Sequence, residues 1–331
     1  MLQKVPENPK KISLSLPPRN FEAPVTEGKQ KIITYGLVVI SMIFWGMSFI
    51  WTSIVFRCYP PITTIFLRLV LSSVLLMAGL LAFGKLERIK RKDVGLFLIA
   101  SLFNPFLYFI GENFGLKYTS PSISAVVIAT IPLLTPVAAY FIVKEKISWL
   151  NIAGIALSFA GVLLMLINRD MTFTASPAGM GFLFFAVTSA VIYAPFLKKL
   201  TRLYHPVSII AWQNFFGVLF FLPLFLVLDL KEFLAIRPDG RTISALFQVS
   251  LFASTLAYIL FTYGVSKIGV SRTNVFTNLI PIFTAVFSYL ILSEYFNLNK
   301  VLGIVIVIAG VMLTQVQHLT RNDRLRNGPS T

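Results

Sequence analysis

The stretch "PLLTPVAAYFIVKE" occupies residues 132–145, and "PIFTAVFSYLILSE" occupies residues 281–294. Each opens on a proline, runs through apolar sequence and closes on a glutamate. At an offset of 149, Pro132 falls on Pro281, Thr135 on Thr284, Tyr140 on Tyr289 and Glu145 on Glu294. The register continues through Gly154 and Gly303 and through Gly161 and Gly310, and it reaches back to Gly115 and Gly264. Earlier in each half, "PPITTIFLRL" (60–69) parallels "HPVSIIAWQN" (205–214) at an offset of 145. An ungapped block of this length marks a duplicated unit.

The sequence around these blocks is equally apolar. The 331 residues are 56% hydrophobic and 13% charged, against about 25% charged in soluble domains. Runs of about 20 apolar residues are long enough to cross a bilayer. Ten fit, roughly 33–56, 62–83, 94–116, 122–143, 149–168, 178–198, 207–228, 243–266, 272–292 and 299–317. The expected fold is therefore an all-α integral membrane protein of ten transmembrane helices. Residues 32–168 form the first five-helix repeat and 178–317 the second, flanked by a disordered basic cytoplasmic tail (1–31) and a cytoplasmic tail (318–331). The first tail has no apolar core of the kind a signal peptide needs.

The net charge of +16 could suggest nucleic acid, but the cations sit in tails and at span ends. With the N-terminus inside, the tails and the loops at 84–93, 144–148 and 198–205, with Lys267 and Arg272, hold 21 of the 29 basic residues. The opposite loops hold seven, among them Arg57, Lys117, Arg169 and Lys300. Such a bias places both termini of a multi-pass protein in the cytoplasm. Five spans per unit is odd, so the second unit crosses in the opposite sense. The local charges agree: Glu145 lies between Lys144 and Lys146, whereas Glu294 lies between Ser293 and Tyr295. Inverted repeats of this kind characterise secondary transporters, which bind substrate between the halves near the midplane. The single cysteine, Cys58, permits no internal disulfide.

Pro132 and Pro281 each lack a backbone donor and crowd the helix one turn earlier, near Ile128 and Thr277. In hydrocarbon, such breaks are tolerated beside protein or a water-filled cavity. Two matched kinks therefore predict helices that line a cavity and flex.

Several of these stretches resemble the EamA-type transporters of the drug/metabolite transporter superfamily. They are the paired "IPLLTPVAAYFIVKE"/"GIALSFAGVLLM" and "IPIFTAVFSYLILSE"/"GIVIVIAGVMLT", with "FWGMSFIW", "FLRLVLSS" and "GLKYTSPSISAVVIATIP". The resemblance spans about residues 33–317. It implies a ten-helix inner-membrane carrier whose central cavity is framed by spans 1–4 and 6–9, with spans 5 and 10 outside. The second half departs from the first where Arg68 would recur, at Gln213.

Polar side chains at helical spacing share a face, and in lipid that face turns inward. Trp45 and Ser48 in span 1, Asn104 and Tyr108 in span 3, Tyr193 in span 6, Tyr258 in span 8 and Asn274 and Asn278 in span 9 are the cavity candidates. For any one of them the alternative is a helix–helix hydrogen bond of about 0.6 kcal/mol. Pro132, Pro281, Glu145, Glu294 and Arg68 are candidates for kinks and gates. Glu112, the single carboxylate inside an expected span, is the candidate for proton coupling, or else pairs with Arg57 or Arg68.

These features predict a secondary transporter that moves a small, amino-acid-like or amphipathic aromatic metabolite by alternating access, with export as its direction. The expected partners are a small-molecule substrate and the lipid bilayer, without nucleic acid, cofactor or metal. A polytopic membrane enzyme or a channel is the alternative. No intramembrane nucleophile–base pair, acidic cluster or phosphate-binding Gly-rich loop favours the enzyme.

Overall fold

The structure, a computed structural model, describes residues 27–134, 149–166 and 176–327. Glu145 and most of the first quoted block lie outside them. Every described regular element is helical: α1 (Glu27–Val55), α2 (Pro61–Ala82), α3 (Val94–Ser101), α4 (Tyr108–Tyr118), α5 (Pro121–Ile128), α6 (Trp149–Leu166), α7 (Pro177–Leu200), α8 (Pro206–Leu224), α9 (Leu230–Ala235), α10 (Gly240–Gln248), α11 (Tyr258–Ile268), α12 (Val270–Val275), α13 (Leu279–Leu292) and α14 (Leu298–Asn327). Among the described residues, six helical segments are long and apolar enough to cross a membrane: Gln30–Val55, Pro61–Ala82, Arg91–Tyr118, Pro177–Leu200, Gly240–Ile268 and Arg272–Leu292. Shorter apolar helices cover Pro121–Leu134, Ile152–Leu166 and Leu298–Leu313, and α8 covers the remaining expected run.

Prolines that interrupt the apolar sequence act first as start signals. Pro61, Pro121, Pro177 and Pro206 each stand at the head of a helix, where the missing N–H costs no hydrogen bond. Ser120 caps α5 by accepting from the Ile123 amide (3.4 Å), and Asp239 caps α10 through the Thr242 amide (2.7 Å). The α2 N-terminus is capped from across the bundle. Asp229 accepts from the Thr63 amide (2.9 Å) and hydroxyl (2.8 Å).

Breaks fall at repeat-related places. A π-helical segment, Leu102–Leu107, joins α3 to α4, and another, Val249–Ala257, joins α10 to α11; at the 149 offset the first maps inside the second. In the first, Asn104 has non-helical φ/ψ of −145° and 116°. The fourth and ninth expected spans are broken just before their prolines. Helix α5 ends at Ile128 with a turn before Pro132, and a 3₁₀ turn, Phe276–Asn278, separates α12 from α13 ahead of Pro281.

The packing is reciprocal. Helices α6 and α14 touch at backbone distance. A Cβ built on Gly161 would lie 2.9 Å from the Gly303 carbonyl, and one built on Gly310 would lie 2.7 Å from the Gly154 carbonyl. Between them the Ser158 hydroxyl donates to the Val307 carbonyl (3.2 Å). Contacts 154–310, 158–307 and 161–303 make the helices antiparallel, and each position meets the counterpart of the other. The third span of each half likewise packs on the first span of the other. Gly115 abuts Leu183, and Gly264 abuts Val38, which are equivalent positions. Small residues at these points let the backbones approach where lipid supplies no hydrophobic drive.

Candidate functional site

Between the two halves lies a cavity of roughly 900 Å³, its mouth included. No described residue of α6 or α14 lines it. Its walls follow the repeat. Trp45 and Ala190, Ser48 and Tyr193, and Phe49 and Ala194 are lining residues related by 145 positions. Phe109 and Tyr258, Glu112 and Phe261, Ile128 and Thr277, and Ile131 and Ile280 are lining residues related by 149.

Seven of the eight cavity candidates line this space: Trp45, Ser48, Asn104, Tyr108, Tyr193, Tyr258 and Asn274. Asn278 is buried but does not. On a continuous α-helix Asn274 and Asn278 would share a face. The 3₁₀ turn has about three residues per turn, so it takes Asn278 out of the wall while Thr277 stays in it. Ser48 donates its hydroxyl to the Trp45 carbonyl of its own helix (2.7 Å), which leaves only its oxygen lone pairs for other partners.

Arg68 and Glu112 also line the cavity and form its charged pole. The Arg68 guanidinium lies over the Phe109 ring at 4.2 Å, and its Nε donates to the Ser254 hydroxyl (2.8 Å). Its Nη1 stands 3.9 Å from Glu112 Oε2, too far for a hydrogen bond and close enough for strong attraction. Glu112 accepts from the Tyr108 hydroxyl (2.9 Å) and, weakly, from Asn113 (3.5 Å). Of the two arginines offered as partners in the sequence, Arg68 is the one that meets it.

The opposite wall is uncharged. Gln213, at the repeat position of Arg68, accepts from the Tyr193 hydroxyl (3.0 Å) and donates to the Asn104 carbonyl (3.4 Å). Trp45 packs against Tyr258 (ring centroids 5.1 Å apart) and Phe261 (4.9 Å). Gln213 was noted in the sequence only as the departure from Arg68, and Ser254, Phe109 and Phe261 were not singled out. Phe109 and Phe261 could have been found from the offset alone, because their equivalents are Tyr258 and Glu112. Ser254 had no such signal.

Pro132 and Pro281 stay out of the wall, but Ile131 and Ile280 just before them lie in it. Glu294 sits at the end of α13, 10% exposed, and clasps two elements. It pairs with Lys300 at 2.8 Å and accepts from the Ser122 hydroxyl of α5 (2.9 Å) and from the Ser288 hydroxyl. Burial pushes its carboxyl up, but the hydrogen bonds from Lys300 and the serines outweigh this and hold it below the usual carboxylate range. Among the described residues, no three His, Cys, Asp or Glu side chains gather where a metal could be held.

The pattern of the EamA-like transporter family matches residues 32–167 and again 177–316. An uncharacterized transporter of Bacillus subtilis, YetK, is 27% identical over 87% of this chain and 88% of its own length. An uncharacterized transporter of Archaeoglobus fulgidus is 27% identical over 85% of this chain and 96% of its own. A solved crystal structure at 15% identity superposes with a TM-score of 0.64 over 86% of this chain and 97% of that one, which is a likeness of fold.

Proposed function

We propose that this chain, which belongs to the EamA-like transporter family, is a secondary transporter working by alternating access. Its ten spans form two inverted five-helix repeats, and its substrate sits in the cavity between them. The observation that carries this proposal is the wall itself: seven pairs of repeat-equivalent positions face one cavity. A cavity astride a pseudo-two-fold axis can open to one side or the other by rocking equivalent elements. The reciprocal, antiparallel contacts of α6 with α14 support the inversion.

The substrate is a small metabolite, amino-acid-like or amphipathic and aromatic. Its charged end faces Arg68 and Glu112, and its apolar body lies against Trp45, Tyr258 and Phe261. Asn104 and Asn274 supply orienting hydrogen bonds, with Ser48, Tyr108 and Tyr193 as acceptors, because their hydroxyl hydrogens are already engaged. The pole belongs to the first repeat alone, so the ligand binds in one orientation. The charge bias of the loops supports cytoplasmic termini; an inner-membrane location and export complete this reading.

The test is counterflow in proteoliposomes with a panel of labelled metabolites. Saturable uptake accelerated by unlabelled substrate on the far side is the expected result. Flux that rises linearly without trans-acceleration would make it a channel, and chemical conversion of a panel member would make it an enzyme. Ala194→Phe, which places the side chain of Phe49 on the opposite wall, should narrow the cavity and lower uptake while the protein still folds.

A further inference from the structure

One end of the bundle carries an ordered basic surface that the cavity does not use. The loop after α2 reads "KLERIKRKD" (85–93), and the end of α7 reads "KKLTR" (198–202). The two are knitted together. The Tyr204 hydroxyl donates to Asp93 (2.7 Å) and accepts from the Lys90 amide (3.1 Å). Glu87 accepts from the His205 amide (2.6 Å), its carbonyl accepts from Trp212 Nε1 (2.9 Å), and its amide donates to the Ser208 hydroxyl (3.3 Å). Leu86 and Ile89 pack inward against the cluster of Leu197, Leu200, Tyr204 and Ile209.

This arrangement sorts the loop. Its apolar residues point in, and both of its carboxylates are engaged within the protein. Lys85, Arg88, Lys90, Arg91 and Lys92 are left exposed beside the exposed Lys198, Lys199 and Arg202. Exposed Phe83 (78%), Leu81 (65%) and Leu203 (49%) border the patch, as side chains do at the boundary between headgroups and acyl chains. Charge alone would suffice to orient the chain in the membrane and requires no fixed loop geometry. The pinned loop holds five exposed cations and the end of α7 three more in one fixed surface.

We propose that this surface is a binding site for the phosphate of an anionic lipid headgroup in the adjoining leaflet. Lysine and arginine forks hold phosphate oxygens through charge-assisted hydrogen bonds, and each cation near an anionic leaflet contributes about fivefold in affinity. The exposed apolar rim accepts the start of the acyl chains, which a free phosphate compound lacks.

The test uses the full chain in phosphatidylcholine nanodiscs. Retention of phosphatidylglycerol is read by native mass spectrometry, and the thermal midpoint is followed with increasing phosphatidylglycerol. Phosphatidylglycerol should be retained and raise the midpoint, extra phosphatidylcholine should not, and dissolved glycerol 3-phosphate should not compete. Lys90→Gln, Arg91→Gln and Lys92→Gln together should weaken retention about fivefold per charge. Tyr204→Phe with Trp212→Phe and Ser208→Ala removes no charge and four of the five hydrogen bonds that pin the loop, and it should lose most of the preference while keeping the fold. If this variant folds and retains phosphatidylglycerol as the parent does, the surface is only diffuse charge and the site is disproved. Full competition by glycerol 3-phosphate would reassign it to a soluble phosphate compound.

Discussion

Arg68 and Glu112 show what a single residue can decide in a low-dielectric interior. A charge at span depth costs at least about 2.5 kcal/mol by insertion scales, and removing one member of a buried pair costs about 3–5 kcal/mol. Arg68 is held by three different contacts, the face of Phe109, the Ser254 hydroxyl and the Glu112 carboxylate. Glu112→Gln therefore leaves the arginine two partners and keeps an oxygen for the Tyr108 hydroxyl. If Glu112 couples protons, this variant retains counterflow and loses accumulation driven by a pH gradient. Unchanged pH-driven accumulation in the variant would exclude coupling through this residue.

Glu294 obeys a different balance. Its folded carboxyl is held below the usual range, so the clasp contributes stability above the unfolded carboxylate pKa of about 4.3. That contribution is lost as pH falls through the lower folded value. Glu294→Gln should cost about 2 kcal/mol at neutral pH, the scale of hydrogen bonds to a charged group. The gap between variant and parent should close in acid. Parallel stability curves across pH would show that the clasp is not ionic.

At the level of elements, the broken helices and the glycine seam make opposite predictions. Pro281 is the third residue of α13, directly after the 3₁₀ turn at Phe276–Asn278. Pro281→Ala supplies an N–H for the Thr277 carbonyl and lets α12 and α13 fuse into one straight helix. Transport should fall more than the yield of folded protein, and full activity would reduce the proline to a packing kink. The contact of α6 with α14 has no slack, because a Cβ on Gly161 meets Val307 and Gly303 backbone atoms at 2.8 and 2.9 Å. Gly161→Ala should lower stability by about 1–3 kcal/mol, as overpacking does. The cavity lies elsewhere, so the substrate affinity of the remaining folded protein should hold, and a change in affinity with unchanged stability would contradict this.

Across the whole molecule, inversion means that equivalent loops of the two repeats face opposite sides. The loop between α2 and α3 corresponds to the loop between α9 and α10. Lys85→Cys and Pro238→Cys, each in a Cys58→Ser background, should react with an impermeant thiol reagent from opposite sides of the membrane. The background is mild, because serine keeps an oxygen for the bond that Cys58 Sγ makes with the Thr242 hydroxyl (3.2 Å). Labelling of both from the same side would refute the inversion and the alternating-access proposal with it.

The sequence alone determined the helices, the duplication and most of the polar wall, because each is a local or periodic property. Apolar runs fix the segments, the 149 offset fixes the repeat, and spacing along one helix puts Asn104 with Tyr108. What only the tertiary structure decided depends on contacts between distant segments or on departures from ideal helix geometry. A 3.6-residue period puts Asn274, Thr277 and Asn278 on one face, and only the 3₁₀ turn in the fold takes Asn278 out of the wall while Thr277 stays in it. The choice of Arg68 as the partner of Glu112, the capping of α2 by Asp229 and the clasp of Glu294 on Ser122 join residues 44, 166 and 172 positions apart. Buried polar groups must find partners wherever the packing brings them, and a linear pattern holds no record of which helix will pass within reach.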